Sequence, residues 1–175
     1  MRANDALFVL ASDFSSSAVS LLKGRDEYAA QLRSNRRRVY AWVADLAADS
    51  ESAQWTWLET LAKEVGGLHF VTLIYVLSAV EPQNMQKAVV RLAELLRPGG
   101  LFFFRDYAEG DMKQTRFDEK GTKNKLNKET YKRGEGTYAH YFSSDELRHL
   151  FESDGLLETL DLVNVNREIV NRARR

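Results

Sequence analysis

The sequence predicts an α/β fold built on a mostly parallel, doubly wound sheet. Near-continuous apolar runs alternate with amphipathic patterns of helical spacing, as they do when helices cover both faces of a sheet. The length of 175 residues is that of one domain, and 44% hydrophobic residues are ordinary for a globular chain. We therefore expect a single domain over residues 1–175, with right-handed crossovers between its strands.

The first strand and helix occupy the segment up to about Leu32. Leu7–Ser12 is a short apolar run that ends at Asp13. The serines of Ser15–Ser17 provide a cap for a helix whose apolar face continues to about Leu32. This order predicts a strand that ends at an acidic residue and is followed by one helix.

The second strand and helix repeat this arrangement. Val39–Ala44 is an apolar run that ends at Asp45. Apolar residues from Trp55 to Val65 then fall at helical spacing, and the pair Gly66–Gly67 ends the helix. The acidic residue again lies directly after the predicted strand.

Two further strands flank a third helix. Phe70–Val80 is dense in Val, Leu, Ile and Tyr, which predicts a buried strand. Pro82 begins a helix that ends at Pro98–Gly100. Leu101–Phe104 is the fourth predicted strand, and the chain continues into Arg105, Asp106 and Tyr107.

The regular alternation breaks after this point. Residues from about 108 to 138 are polar, glycine-rich and rich in lysine, which predicts a long polar loop. Ser143 or Ser144 caps a further helix that Gly155 ends. Leu156–Val165 alternates in character and predicts a last strand.

The ends of the strands carry the residues with candidate chemistry. In a doubly wound sheet the ligand lies beyond the carboxyl ends of the strands, where Asp13, Asp45, Ser78–Val80 and Arg105–Tyr107 should gather. A carboxylate at such a position accepts hydrogen bonds from ribose hydroxyls, although Asp13 and Asp45 are equally well placed to cap the helices that follow. Arg105 offers a planar guanidinium for a phosphate or a base edge, with an Arg105–Asp106 salt bridge as the alternative.

Composition excludes several classes of protein. The sequence contains no cysteine, so a disulfide framework, a cysteine zinc site and a thiol nucleophile are excluded. Its 3 histidines are not paired at metal-ligand spacing, so no metal site is expected. Its 25 basic residues equal its 25 acidic residues, which excludes a chain that is basic throughout but not a local basic patch. No apolar run is long enough to span a membrane, so we expect no membrane association.

Several motifs together resemble one family, the methyltransferase-like proteins that make 3-methylcytidine in the tRNA anticodon loop. The matching segments are Asp13–Val19, Thr72–Met85, Leu96–Gly100, Phe104–Phe117 and Tyr131–Phe142. The Pro-Gly-Gly turn is common to class I methyltransferases, whereas Leu-Ser-Ala-Val at 77–80 and Phe-Arg-Asp-Tyr at 104–107 are specific in combination. The sequence differs from the family pattern at Ala108, Glu135 and Tyr138, where Gly, Asp and Arg are usual.

The resemblance implies an enzyme that uses S-adenosyl-L-methionine, with tRNA as substrate. The implied cofactor residues are Asp13, Phe14, Asp45, Leu46, Tyr75 and Ser78. The implied catalytic residues at the target cytidine are Arg105, Asp106 and Tyr107. The implied RNA-binding residues are Arg116, Lys132 and Arg133. An accessory protein such as a tRNA synthetase is a further implied partner, and no metal is implied.

In the family, a Gly-rich first strand and turn lie before the segment matched by Leu7, and a final strand follows the segment matched by Asn171 and Arg172. The resemblance therefore predicts a Rossmann-like class I methyltransferase sheet that lacks its first and final strands. The missing glycine turn leaves open an alternative function, a catalytically inactive methyltransferase-like module that binds RNA or a protein. We expect a cytoplasmic protein, with the mitochondrion and the nucleus as alternatives.

Overall fold

The computed structural model describes residues 7–33, 38–48, 52–119, 125–134 and 136–166. The chain separates into two compact units, Met1–Gly66 and Gly67–Arg175. The interpretation of residues 1–175 as one domain stays a prediction. Among the described residues, no helix has the length and apolar character needed to cross a membrane.

The first unit contains one parallel pair of strands and three helices. Strand β1 (Val9–Asp13) pairs in parallel with β2 (Val39–Val43), so that Asp13 lies opposite Val43 at their carboxyl ends. The helices are α1 (Ser16–Lys23), α2 (Asp26–Arg33) and α3 (Ala53–Glu64). The predicted strands and the third of these helices are confirmed to within a few residues.

The helix predicted between the first two strands was wrong in its length, because the structure has two helices there. The Ser15 hydroxyl accepts a hydrogen bond from the Ala18 N–H, as a helix cap should. Gly24 then ends α1 after two turns, since glycine is the weakest non-proline helix former. Val19 from α1, Tyr28 from α2 and Ala41 from β2 form the core of this unit, and the Tyr28 hydroxyl accepts the Ala41 N–H at 3.2 Å.

The second unit begins with another parallel pair. Strand β3 (Leu68–Ile74) pairs with β4 (Leu96–Arg105), and α4 (Pro82–Glu94) connects them with Pro82 at its start. The prediction that β3 continues to Val80 was wrong, since a 3₁₀ turn occupies Leu77–Ala79. Strand β4 begins earlier than predicted, and its register shifts between the pairs Leu68–Leu96 and Phe70–Leu101.

The four parallel strands were predicted to form one sheet, and the structure differs on this point. In the described part of the chain, β1–β2 and β3–β4 are separate hydrogen-bonded pairs, and no described strand bonds to both. The parallel direction within each pair is confirmed. Each pair still brings its carboxyl ends together, which is the feature that positions the candidate residues.

The segment predicted as a polar loop contains regular structure. Its elements are α5 (Met112–Glu119) and an antiparallel hairpin of β5 (Thr130–Lys132) and β6 (Tyr138–His140). Tyr131 and Tyr141 are each only 1% exposed and form a small core to which Tyr107 and Phe117 pack. The loop prediction followed the abundance of charged residues and overlooked that these aromatic side chains bury enough area to order the segment.

The end of the described chain contains one confirmed helix and one incorrect strand. Helix α6 (Ser144–Glu152) is capped by Ser143, whose hydroxyl accepts the Glu146 N–H at 3.2 Å. The predicted strand at 156–165 has no strand geometry, and Leu160 and Val163 are 77% and 66% exposed. An alternating sequence forms a strand only when a neighbouring strand completes its hydrogen bonds, and no described strand pairs with this segment.

Candidate functional site

In the first unit, two carboxylates follow the paired strands as the sequence predicts. Asp13 Oδ1 accepts the Ser15 N–H at 2.8 Å, and Asp45 Oδ1 accepts the Ala47 N–H at 2.8 Å. The Asp13 carbonyl oxygen also accepts the Ala44 N–H at 3.0 Å, which ties the ends of β1 and β2 together. Both side chains are exposed, so both carboxylates are ordered by the backbone and accessible to a ligand.

The alternative that Asp13 and Asp45 cap the following helices is thus only partly correct. Ser15 is the cap of α1, and each aspartate closes a turn two residues long with only one of its oxygens. In the described residues no protein donor reaches Oδ2 of Asp13 or of Asp45 within hydrogen-bond distance. Phe14 beside Asp13 is 64% exposed, and Leu46 beside Asp45 is half-buried, so each carboxylate has an apolar neighbour.

In the second unit, Asp106 links the end of β4 to the 3₁₀ turn. Its Oδ2 accepts the Ser78 N–H at 3.0 Å, and its Oδ1 accepts the Tyr107 N–H at 2.9 Å. Ser78 is 1% exposed, so this carboxylate satisfies a buried backbone donor. Asp106 thereby fixes the positions of Ser78 and Tyr107, two of the predicted site residues.

Tyr75 has an unusual backbone conformation directly after β3. Its φ is 55°, and among the described residues it is the only one other than glycine with a positive φ. Such a conformation costs about 1–3 kcal/mol and persists where surrounding contacts enforce it. The Tyr75 N–H donates to the Arg105 carbonyl oxygen at 2.8 Å, which anchors the turn to the end of β4.

Three tyrosine rings and several cations assemble around these strand ends. The ring of Tyr107 lies 5.2 Å from that of Tyr75 and 5.7 Å from that of Tyr141. The Arg105 guanidinium lies 5.7 Å from the centre of the Tyr75 ring, and the Arg133 guanidinium lies 5.9 Å from that of Tyr107. Rings of this kind stack on nucleobases, and the guanidinium groups beside them suit phosphate or a base edge.

The alternative of an Arg105–Asp106 salt bridge was wrong for the described residues. Asp106 uses both oxygens for backbone N–H groups, and Arg105 packs over a ring instead. Arg105 is exposed, which leaves its five donors available to a ligand.

The three predicted RNA-binding residues separate in the structure. Arg133 joins the ring assembly, whereas Lys132 is exposed on the hairpin. Arg116 is exposed on α5, where its guanidinium lies 3.8 Å from the Met112 sulfur. The sequence analysis missed Lys113, whose Nζ lies 5.4 Å from the centre of the Tyr107 ring.

Burial changes the acidity of the tyrosine at the base of this assembly. Desolvation raises the pKa of Tyr141 to about 12, so this phenol stays neutral at physiological pH and is no proton acceptor there. Desolvation also raises the pKa of Tyr131, whose hydroxyl donates to Asp118 Oδ1 at 2.8 Å. In the described part of the chain, no cluster of His, Asp or Glu side chains is arranged to hold a metal ion.

Comparison with known proteins identifies the family. The chain belongs to the methyltransferase domain family, whose pattern matches residues 13–157. The match includes Asp13 and Asp45 of the first unit and the three rings of Tyr75, Tyr107 and Tyr141 in the second. The resemblance seen in the motifs is thus confirmed at the level of the enzyme class.

The curated relatives extend the same likeness. The chain is 40% identical over 168 residues to the tRNA N(3)-cytidine methyltransferase METTL2 of Danio rerio, covering 96% of this chain and 42% of that protein. It is also 40% identical to METTL2B of Homo sapiens over 96% of this chain and 40% of that protein. It is 32% identical to the tRNA N(3)-methylcytidine methyltransferase trm141 of Schizosaccharomyces pombe, over 96% of this chain and 62% of that protein. The chain therefore spans about two fifths of the length of the animal relatives.

Solved structures confirm the fold class. A SAM-dependent methyltransferase from Methanosarcina mazei matches with a TM-score of 0.54 and 16% identity, over 81% of this chain and 66% of that one. An S-adenosylmethionine-dependent methyltransferase from Clostridium acetobutylicum matches with a TM-score of 0.54 and 13% identity, over 94% of this chain and 70% of that one. At these identities the likeness establishes the Rossmann-like α/β fold and no more.

Proposed function

We propose that this chain transfers a methyl group from S-adenosyl-L-methionine to N3 of a cytidine in tRNA. The observation that supports this most strongly is the identity of about 40% to tRNA N(3)-cytidine methyltransferases over 96% of the chain. The Phe-Arg-Asp-Tyr segment at 104–107 includes the three side chains that the proposal assigns to the target base, Arg105, Asp106 and Tyr107.

The first unit would hold the adenosine half of the cofactor. Asp13, with one oxygen ordered by Ser15, offers its other oxygen to the ribose hydroxyls. Asp45 would accept the adenine amino group, and Phe14 and Leu46 would cover the apolar faces of the ring. These acceptors and apolar groups fit an adenosine. Tyr75 and Ser78 are the other residues proposed for the cofactor.

The cofactor supplies an electrophilic methyl group on a sulfonium centre. Neutral cytosine carries a lone pair at N3, so the reaction needs alignment of that atom with the methyl group more than a strong base. Arg105, Asp106 and Tyr107 would position the base, and the two backbone N–H groups that donate to Asp106 tie the end of β4 to the 3₁₀ turn. The target base must leave its stack to reach these residues.

The RNA around the base would be held by cations. Arg116, Lys132 and Arg133 are proposed to neutralise tRNA phosphates, because each is at least partly exposed on α5 or on the hairpin. An accessory protein such as a tRNA synthetase and a cytoplasmic location, with the mitochondrion or nucleus as alternatives, stay predictions. Cell fractionation and affinity capture of tagged protein test these two points.

The decisive experiment measures the modified nucleoside itself. Purified protein is incubated with an unmodified tRNA transcript and S-adenosyl-L-methionine, and the digested RNA is analysed by mass spectrometry for 3-methylcytidine. We expect this nucleoside with the protein and none after Asp106→Ala. Binding of the same transcript without any methylated product would instead support the inactive, RNA-binding alternative.

A further inference from the structure

Two cations converge on one ring of the assembly. Lys113 Nζ lies 5.4 Å and the Arg133 guanidinium carbon lies 5.9 Å from the centre of the Tyr107 ring. They come from different elements, since Lys113 is in the first turn of α5 and Arg133 directly follows β5. The side chain of Lys113 is exposed, and that of Arg133 is half-buried.

Two lysines of this segment, Lys125 and Lys128, have carboxylate partners, whereas in the described part of the chain Lys113 and Arg133 do not. Lys125 pairs with Asp118, and Lys128 Nζ lies 2.9 Å from Glu109 Oε1. Within the described residues, no carboxylate lies within ion-pair distance of Lys113 or Arg133. Two like charges gathered on one ring without an anion form a local positive site in a chain whose net charge is zero.

The nearby acidic groups are engaged elsewhere. Asp111 Oδ1 accepts the backbone N–H of Lys113 at 2.7 Å, so that this carboxylate orders the start of α5. Asp106 accepts two backbone N–H groups, and Glu109 pairs with Lys128. The negative charge of Asp111 weakens the positive potential of this site, but Asp111 forms no ion pair with Lys113 or Arg133.

Helix α5 is held firmly enough to present Lys113 in a fixed place. Gln114 is buried, and its Oε1 accepts the Gly110 N–H at 2.7 Å. The Phe117 ring stacks on the Tyr131 ring with centres 5.0 Å apart. Asp118 receives the Tyr131 hydroxyl at 2.8 Å, which ties the last turn of α5 to the hairpin.

We infer that Lys113 and Arg133, two cations beside the Tyr107 ring, bind the phosphate backbone of the RNA. The inference rests on the proposed function, and it adds Lys113, which the family motifs do not identify. A lysine and an arginine from separate elements neutralise backbone phosphate, and the ring beside them favours a nucleotide over an isolated anion. Inorganic phosphate shares the anion chemistry but cannot use the ring.

The test is the salt dependence of RNA binding, measured by fluorescence anisotropy with an unmodified tRNA transcript. Each phosphate contact in a single-stranded loop contributes about 0.7 to the slope of log affinity against log salt concentration. We expect Lys113→Ala to lower the slope by about that amount and Lys113→Arg to restore it. Lys128→Ala removes the same charge from an ion-paired position and should leave the slope unchanged.

An unchanged slope in Lys113→Ala would overturn the inference, provided that circular dichroism shows a folded variant. Competition by millimolar inorganic phosphate that weakens RNA binding equally in wild type and in Lys113→Ala would also overturn it, since the phosphate site used by the RNA would then not include Lys113. The slope does not depend on methyl transfer. A wild-type protein that makes no 3-methylcytidine but loses slope in Lys113→Ala refutes the proposed function alone, and the reverse result refutes this inference alone.

Discussion

At the scale of single residues, the backbone at the strand ends is ordered by N–H groups that donate to carboxylates. Asp13, Asp45 and Asp106 each accept a backbone N–H near a strand end, and Asp106 accepts two. A carboxylate that accepts N–H groups in this way forms stronger bonds than a neutral acceptor. The residues therefore order the local backbone first and offer what remains of their charge to a ligand.

Asp106→Asn tests this structural contribution. The amide keeps the shape but has one acceptor oxygen, so the N–H of Ser78 or that of Tyr107 loses its partner. Because Ser78 is buried, we expect the free energy of unfolding to fall by about 1–3 kcal/mol in urea titrations. Asp161→Asn, at an exposed position, is the control and should change stability little. Equal stabilities for the two variants would show that Asp106 does not hold this turn.

At the scale of elements, Gly67 allows the chain at the start of β3 to approach the bulged start of β4 closely. Gly67 has a φ of 93°, and an added Cβ would lie 2.5 Å from the Arg97 nitrogen and 2.6 Å from its Cα. Gly66 has a φ of 76° but open space around the same position. Substitution of Gly66 therefore measures the cost of the backbone conformation alone, and substitution of Gly67 measures that cost together with the cost of a steric clash.

We expect Gly66→Ala to destabilise the protein by about 1–2 kcal/mol, the cost of a left-handed conformation for alanine. Gly67→Ala should cost about 1–3 kcal/mol more, because the backbone of Arg97 cannot move aside as a flexible side chain would. Urea unfolding of both variants under one condition measures the difference. Equal losses would mean that β4 adapts to the added methyl group.

The same scale shows what the sequence could and could not predict. The strands and α4 follow from apolar runs and from Pro82, since these signals lie within one segment. The hairpin of β5 and β6 depends on Tyr131 and Tyr141 packing on Tyr107. Because Tyr107 is distant in sequence from both, no local sequence pattern predicts this contact. The strand predicted at 156–165 was wrong for the opposite reason, because its local pattern was adequate and no strand among the described residues pairs with it.

The candidate site residues likewise include some that the sequence predicts and some that only the structure identifies. Topology alone placed Asp13, Asp45 and Arg105 at strand ends, since parallel strands carry their carboxyl ends to one side. The unusual φ of Tyr75 had no sequence signal, because the conformation is rare for a residue with a Cβ. Lys113 was overlooked because a lysine series with acidic neighbours is typical of a solvated surface, and only the fold distinguishes the ion-paired Lys125 and Lys128 from Lys113 beside the Tyr107 ring.

At the scale of the whole molecule, the proposed function assigns the cofactor and the substrate to different residues. Asp13 is proposed to bind the cofactor, whereas Arg105 is proposed to position the base. Variants of the two should therefore change different measured quantities. Asp13→Ala should weaken S-adenosyl-L-methionine binding by about 10- to 100-fold in isothermal titration, as expected for loss of hydrogen bonds to a charged group.

Arg105→Lys keeps the positive charge but loses the planar fork that lies over the Tyr75 ring. We expect kcat/KM for tRNA methylation to fall by about 10-fold, which corresponds to about 1.4 kcal/mol of transition-state stabilisation, with cofactor affinity unchanged. Arg97→Lys makes the same substitution at an exposed position of β4, and Asp26→Ala removes an exposed carboxylate from α2. Neither control should change either quantity. Methylation by Arg105→Lys at the wild-type rate would remove Arg105 from the substrate site, and a loss of cofactor affinity in that variant would place its guanidinium at the cofactor instead of the cytidine.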